Sequence, residues 1–115
     1  MTIVPTQIYI ARIPFDDNSQ SKIRPALIIE NTDLYATVFK ITSKFQAKSV
    51  RIQNFYYPIK KWKEAGLVKP SFIDIHRTYD ITLKLLLRHT PIGKLTLIDQ
   101  RDLLTFIQTH GNSVK

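Results

Sequence analysis

Most of the apolar and polar pattern along this chain reads as strand rather than helix. Gln7 to Phe15 (QIYIARIPF) combines β-branched and aromatic residues and closes near a proline, as a strand end or edge does. Asp16 to Lys22 (DDNSQSK) has no apolar residue and reads as a loop. Arg24 to Asn31 and Tyr35 to Ser43 are two further strand-like runs, joined through Asn31, Thr32 and Asp33 with the turn chemistry of a hairpin. Ser49 to Gln53 alternates Val50 and Ile52 with polar neighbours and is expected to be a half-buried strand. Pro58 and Gly66 flank Ile59 to Ala65 as the entry and exit of one or two helical turns. Alternation returns over Ser71 to Arg77, while the apolar run Ile81 to Leu87 fits strand and helix alike. Near the end Asp99 is placed as an N-cap, with Asp102 at the third helical position and Ile98 set to staple onto Leu103. Leu103, Phe106 and Ile107 then follow at helical spacing up to Gly111. Five or six short strands, a short internal helix and one terminal helix predict a mainly β fold, a small barrel capped by a helix.

Size and composition narrow the picture. At 115 residues, 43% of them hydrophobic, the chain can build one core, so residues 1–115 are expected to form a single domain with its core over about 7–110 and a short tail at 111–115. Cysteine is absent, which excludes disulfides, thiolate zinc sites and cysteine nucleophiles and agrees with a reducing compartment. No window approaches the ~18 uninterrupted apolar residues of a membrane span, and no basic stretch precedes an apolar one at the start. A cytoplasmic protein with no membrane partner is expected. Histidines and carboxylates lack metal-ligand spacing, and Gly66, Gly93 and Gly111 are too scattered to cradle a phosphate, so neither a metal nor a cofactor is expected.

Charge is uneven. The net +8 comes largely from residues 40–69, where eight basic residues (Lys40, Lys44, Lys48, Arg51, Lys60, Lys61, Lys63, Lys69) face a single acid, Glu64. Phe45, Phe55, Tyr56, Tyr57 and Trp62 lie among them. Cations release counterions from phosphates and aromatic faces stack on unpaired bases, so the mixture suits single-stranded nucleic acid. A solvated lysine face over core aromatics would have the same composition.

Several short motifs occur in a fixed order: Ile13-Pro14-Phe15, Lys22-Ile23-Arg24-Pro25 running into Ala26-Leu27-Ile28-Ile29, Ile41-Thr42-Ser43, Gly66-Leu67-Val68-Lys69-Pro70-Ser71, Ile92-Gly93-Lys94-Leu95-Thr96, and the capped helix. In this order the chain resembles the MazF/PemK family of toxin–antitoxin endoribonuclease toxins, from about Gln7 to Ile107. The resemblance implies an SH3-like barrel of the MazF/PemK/CcdB type that acts as a homodimer. It also implies cleavage of single-stranded RNA (mRNA) without a metal or other cofactor, and an antitoxin partner with an acidic, disordered tail. It makes Arg24 and Thr42 the catalytic pair. Lys22, Ser43, Lys44 and Lys48, which flank them, become candidates for the RNA backbone. The same barrel without catalysis, binding RNA or a protein, is the alternative.

Those residue types suit the chemistry. In metal-independent cleavage the nucleophile is the RNA's own 2′-hydroxyl, and the enzyme must neutralise charge growing on the phosphate oxygens. A guanidinium does this in a planar fork, and Pro25 restricts Arg24 to extended backbone. Thr42 offers a rotamer-restricted hydroxyl donor. Some family members have an acid in the loop before the arginine. Here Ser19 and Gln20 stand at that distance, with Asp16 and Asp17 further back, so the base is unassigned. Other members use an Arg and an Asp on the strand matching Ser71 to Arg77; Asp74 fits the Asp, but Phe72 replaces the Arg. Asp74 and His76, two apart on one strand, would share a face and could form a carboxylate-oriented imidazole for proton transfer.

Overall fold

The computed structural model describes residues 3–14, 21–45 and 49–110. Its elements are β1 (Gln7–Pro14), β2 (Ser21–Asn31), β3 (Tyr35–Thr42), α1 (Val50–Gln53), β4 (Tyr56–Pro58), β5 (Phe72–Thr82), α2 (Leu83–Leu86), β6 (Gly93–Lys94) and α3 (Leu97–His110). The strands form one antiparallel sheet in the order β4-β5-β3-β2-β1-β6, curled into a half-barrel. The mainly β expectation holds.

Alternate residues of the central strands bury opposite faces of this sheet. Tyr9, Ala11, Ile13, Ala26, Ile28, Ala36 and Val38 pack on one side with Tyr79, Ile81 and Leu86. Ile8, Leu27, Phe39, Ile41 and Ile73 pack on the other with Tyr57, Leu95 and Leu103 of α3. Burial on both faces explains why β1 and β3 read as dense apolar runs rather than clean alternation.

Local differences from the expected elements have local causes. Ser49 to Gln53 forms no strand. The Ser49 hydroxyl accepts the Ile52 N–H at 3.3 Å and caps a single helical turn whose Val50 is 74% exposed, so alternation over five residues lacked a face to bury. β2 starts at Ser21, inside the polar stretch, because Pro14 and Ile13 of β1 pair with Ser21 and Lys22. Ile81 to Leu87 divides between the end of β5 and α2. Gly111 and the expected tail, like the loop residues 16–20, lie outside the described residues.

The largest correction concerns Asp99, which is not the N-cap of α3. That helix starts at Leu97, and the Thr96 hydroxyl accepts the Asp99 N–H at 3.4 Å. Asp99 turns inward and is fully buried, accepting the Tyr57 hydroxyl at 2.5 Å, the Lys60 N–H at 2.9 Å and the Lys61 N–H at 2.8 Å. It thereby caps the turn after β4, where the Ala65 N–H reaches the Lys61 carbonyl at 3.1 Å, and ties that turn to α3. Burial alone would raise the Asp99 pKa; the donors from Tyr57, Lys60, Lys61 and Thr96 outweigh it and hold the carboxyl below its ordinary value. Burial and the Asp99 carboxylate push the Tyr57 phenol far up.

Beyond this turn the chain crosses β6 in backbone contact. A Cβ on Gly66 (φ +94°) would sit 2.2 Å from the Ile92 carbonyl oxygen, and one on Gly93 would sit 1.8 Å from the Ala65 carbonyl oxygen. Only glycines allow that crossing, and it fixes where segment 67–71 begins.

A carboxyl lowered in the folded state stabilises the fold above its unfolded pKa, and that contribution is lost as pH falls through the folded value. Chemical denaturation between pH 7 and pH 3 should therefore show wild-type stability falling below about pH 4. Asp99→Asn should be less stable by about 2–4 kcal/mol at pH 7, since it strips acceptors from buried donors. Its stability should change less with acid than the wild type's.

Candidate functional site

Pro25 determines how β2 and β3 part. Ile28 accepts the Thr6 N–H through its carbonyl, so even-numbered β2 residues turn their backbone groups toward β1 and odd-numbered ones toward β3. The donor that Pro25 lacks is therefore one for β3, and the β2–β3 ladder stops at the Ala26–Lys40 pair. Continued two residues past that pair, the same register would set Arg24 opposite Thr42, the last residue of β3, and both border one cleft. Arg24 pairs with Ala11 on its other side and Thr42 with Phe72.

A cleft of about 300 Å³ opens at these strand ends, bordered by Arg24, Pro25, Thr42 and Ser43 on the sheet side and by Val68 and Lys69 on the other. Arg24 is half-buried. Its Nε is shut off from solvent and has no hydrogen-bond partner among the described residues. A desolvated guanidinium N–H without an acceptor is costly, about 1–3 kcal/mol, and such a site favours an anion. Thr42 is 5% exposed, and its Oγ1 accepts the Lys44 N–H at 3.0 Å, which aims the hydroxyl and leaves its proton free to donate.

The other candidates divide. Lys22 is exposed two residues before Arg24 on the same face of β2, Ser43 is half-buried at the cleft, and Lys44 is exposed beside it. Lys48 lies outside the described residues. Asp74 and His76 are not joined as carboxylate and imidazole. Asp74, 5% exposed, pairs with Lys40 Nζ at 3.4 Å and accepts the backbone N–H of His76 at 2.9 Å, whereas the His76 ring is exposed and packs on Phe55 at 4.9 Å. A register shift separates them from simple alternation, since Phe39 pairs with Thr78 while its neighbour Lys40 pairs with Asp74. Among the described residues no group of three His, Asp or Glu side chains is arranged to hold a metal ion.

Two basic residues proved different from the expected track. Lys40 is buried in its pair with Asp74, and the Lys60 ammonium bonds Asp102 at 2.5 Å. Tyr56 and Tyr57 are core, so they offer bases no face. Lys69 was not among the candidates, yet it borders the cleft. Its carbonyl accepts the Ser71 hydroxyl at 2.8 Å, which ties down the end of the segment begun at the glycine crossing. The motif from Gly66 to Ser71 contained that signal: a cation held between a backbone-fixing glycine and a proline.

The model of one protein family, described as PemK-like, MazF-like toxin of type II toxin–antitoxin system, matches residues 5–110. The chain belongs to that family. No curated protein matches the chain. Membership makes the chain a toxin whose system includes an antitoxin, and the match spans every described strand and helix of the toxin. No described helix of the toxin is long and apolar enough to cross a membrane.

Because the glycine crossing sets segment 67–71 against the strands, the Gly93→Ala toxin should lose stability, by about 1–3 kcal/mol for overpacking against backbone. Lys69→Ala should leave the melting temperature within about 2 °C, as an exposed substitution does. Thermal unfolding of the two variants beside wild type checks the contrast.

Proposed function

We propose that this toxin is a metal-independent, sequence-selective endoribonuclease acting on single-stranded RNA in the cytoplasm, as a homodimer neutralised by its antitoxin. The 2′-oxygen attacks the adjacent phosphorus, and the bond to the 5′-oxygen breaks. The products are a 2′,3′-cyclic phosphate and a free 5′-hydroxyl, and the proton lost from the 2′-hydroxyl is balanced by one gained at the leaving oxygen. Arg24 neutralises charge on the non-bridging oxygens of the five-coordinate phosphorus, and Thr42 donates to one of them. The observation that carries this reading is the desolvated, unpartnered Nε of Arg24 together with an oriented Thr42 hydroxyl at one cleft. Family membership supports the reaction class.

Ser43, Lys22, Lys44, Lys48 and Lys69 hold the RNA backbone on either side of the scissile phosphate. Asp74, two residues along β5 from the Thr42–Phe72 pair, and His76 are the candidates for moving the proton. With no single predicted base, a pH–rate profile decides their parts. His76→Ala should change the shape of that profile, and a profile identical to wild type's removes His76 from the reaction.

Incubation of single-stranded RNA with the toxin in EDTA should yield fragments with cyclic phosphate ends. Arg24→Ala should slow cleavage by about 10²- to 10³-fold or more, with a melting temperature no lower than wild type's. RNA affinity should fall with salt at a log–log slope near −0.7 per phosphate neutralised. RNA that is bound yet stays intact at high toxin concentration would instead indicate a binding module.

A further inference from the structure

Next to the end of the sheet, β1 has an open stretch of edge. β6 pairs with β1 only at Gln7 and Ile8, and the Ile8 carbonyl takes the Ile92 N–H at 2.8 Å. Backbone groups of a strand alternate sides, so the N–H and C=O of Ile10 and Arg12 point to the same edge as those of Ile8. β2 occupies the other side of β1 down to the Pro14–Ser21 pair. Among the described residues, nothing pairs with Ile10 or Arg12 on that edge. Beside it runs a groove of about 380 Å³, the larger of the two grooves described here, between β1 and the segment after α2. Its floor is apolar, with Ile23 58% and Leu85 53% exposed, and its rim carries Arg12, Arg88 and His89. The Arg12 guanidinium touches the Ser21 hydroxyl at 3.2 Å, and among the described residues neither arginine has an acidic partner.

We propose that this open edge of β1 is a strand-addition site for an extended, acidic segment of the antitoxin. An unpaired edge supplies main-chain hydrogen bonds, and a groove beside it takes alternate side chains, which together define β-augmentation. The charges choose the occupant. A second copy pairing antiparallel along the same edge would bring its own Arg12 toward Arg12 on a chain of net +8. Acidic side chains alternating with apolar ones meet both the arginines and the floor. RNA would find the cations, but it offers no amide ladder. Ile10 and Ile23 line both this groove and the Arg24 cleft, so an acidic strand docked here lies directly beside the candidate site and repels a phosphate approaching Arg24. The proposal rests on the antitoxin that family membership implies and not on the cleavage reaction.

The probe is a short synthetic peptide of alternating glutamate and valine, titrated onto the full chain without RNA. Binding is followed by fluorescence anisotropy and by amide hydrogen exchange. Wild type should bind it and gain protection at the Ile10 and Arg12 amides. The Arg12→Glu/Arg88→Glu double variant, and Leu85→Asn as a test of the apolar floor that adds no charge, should each bind at least about tenfold more weakly with unchanged circular dichroism. Equal binding of a lysine–valine peptide, undiminished binding by both variants, or protection confined to other strands overturns the proposal. So do Ile10 and Arg12 amides already protected in a self-associated toxin, or protected by RNA and not by peptide. A toxin that binds the peptide at β1 but cuts no RNA leaves this site standing and removes the nuclease reading; the reverse result removes this site alone.

Discussion

A proline has no amide hydrogen, and in this fold the missing donor of Pro25 decides where two central strands stop pairing. Up to Ala26 and Lys40 the β2–β3 ladder is continuous; beyond it the strands run on without the next bond. Had residue 25 carried an N–H, the ladder could have continued to Thr42 and closed the sheet there. Instead Arg24 and Thr42 border one cleft, both held from behind by complete pairings, Arg24 to Ala11 and Thr42 to Phe72. The site is thus a gap in a hydrogen-bond pattern, built on rigid strands, and it is bordered by a half-buried arginine whose Nε has no partner among the described residues.

The far wall of that cleft depends on a second arrangement. Asp99 collects the Tyr57 hydroxyl and two backbone N–H groups, which clamps the turn after β4 onto α3. The chain leaving that turn passes β6 at the Gly66–Gly93 crossing, where neither backbone has room for a side chain. Segment 67–71 therefore starts from a fixed point and delivers Lys69 to the cleft. The buried carboxylate and two glycines act on function only through position. Their loss would be felt first as stability and then as geometry.

Much of the fold was legible because the physics behind it is local. The strands β1, β2 and β3 announce themselves by β-branched density, the hairpin turn by Asn31-Thr32-Asp33, and the terminal helix by Leu103, Phe106 and Ile107. The errors arose where local rules compete. Ser49 can cap a turn as readily as begin a strand, and five residues cannot decide between them without knowing what lies beneath. Asp99 satisfies the rule for an N-cap, yet Tyr57 and the Lys60–Lys61 amides, about forty residues away in sequence, outbid the helix for its carboxylate. Lys40 looked like part of a basic track because charge counting has no direction. Its place on β3, opposite Asp74, turns it inward. In the site, Arg24 and Thr42 could be named from motif order alone. Their meeting at one cleft could not, since it follows from a register that only the paired strands define.

In the proposed reaction Arg24, at the ladder's end beside Thr42, engages a phosphate of single-stranded RNA. The most direct test is the nitrogen-15 NMR signal of the Arg24 Nε–H, followed while the protein is titrated with single-stranded RNA methylated at its 2′-oxygens, which blocks the attack. This signal should shift and its hydrogen exchange slow as the RNA binds, while the Lys40 ammonium, held by Asp74, stays unchanged. RNA binding that leaves the Arg24 Nε–H unmoved would contradict it.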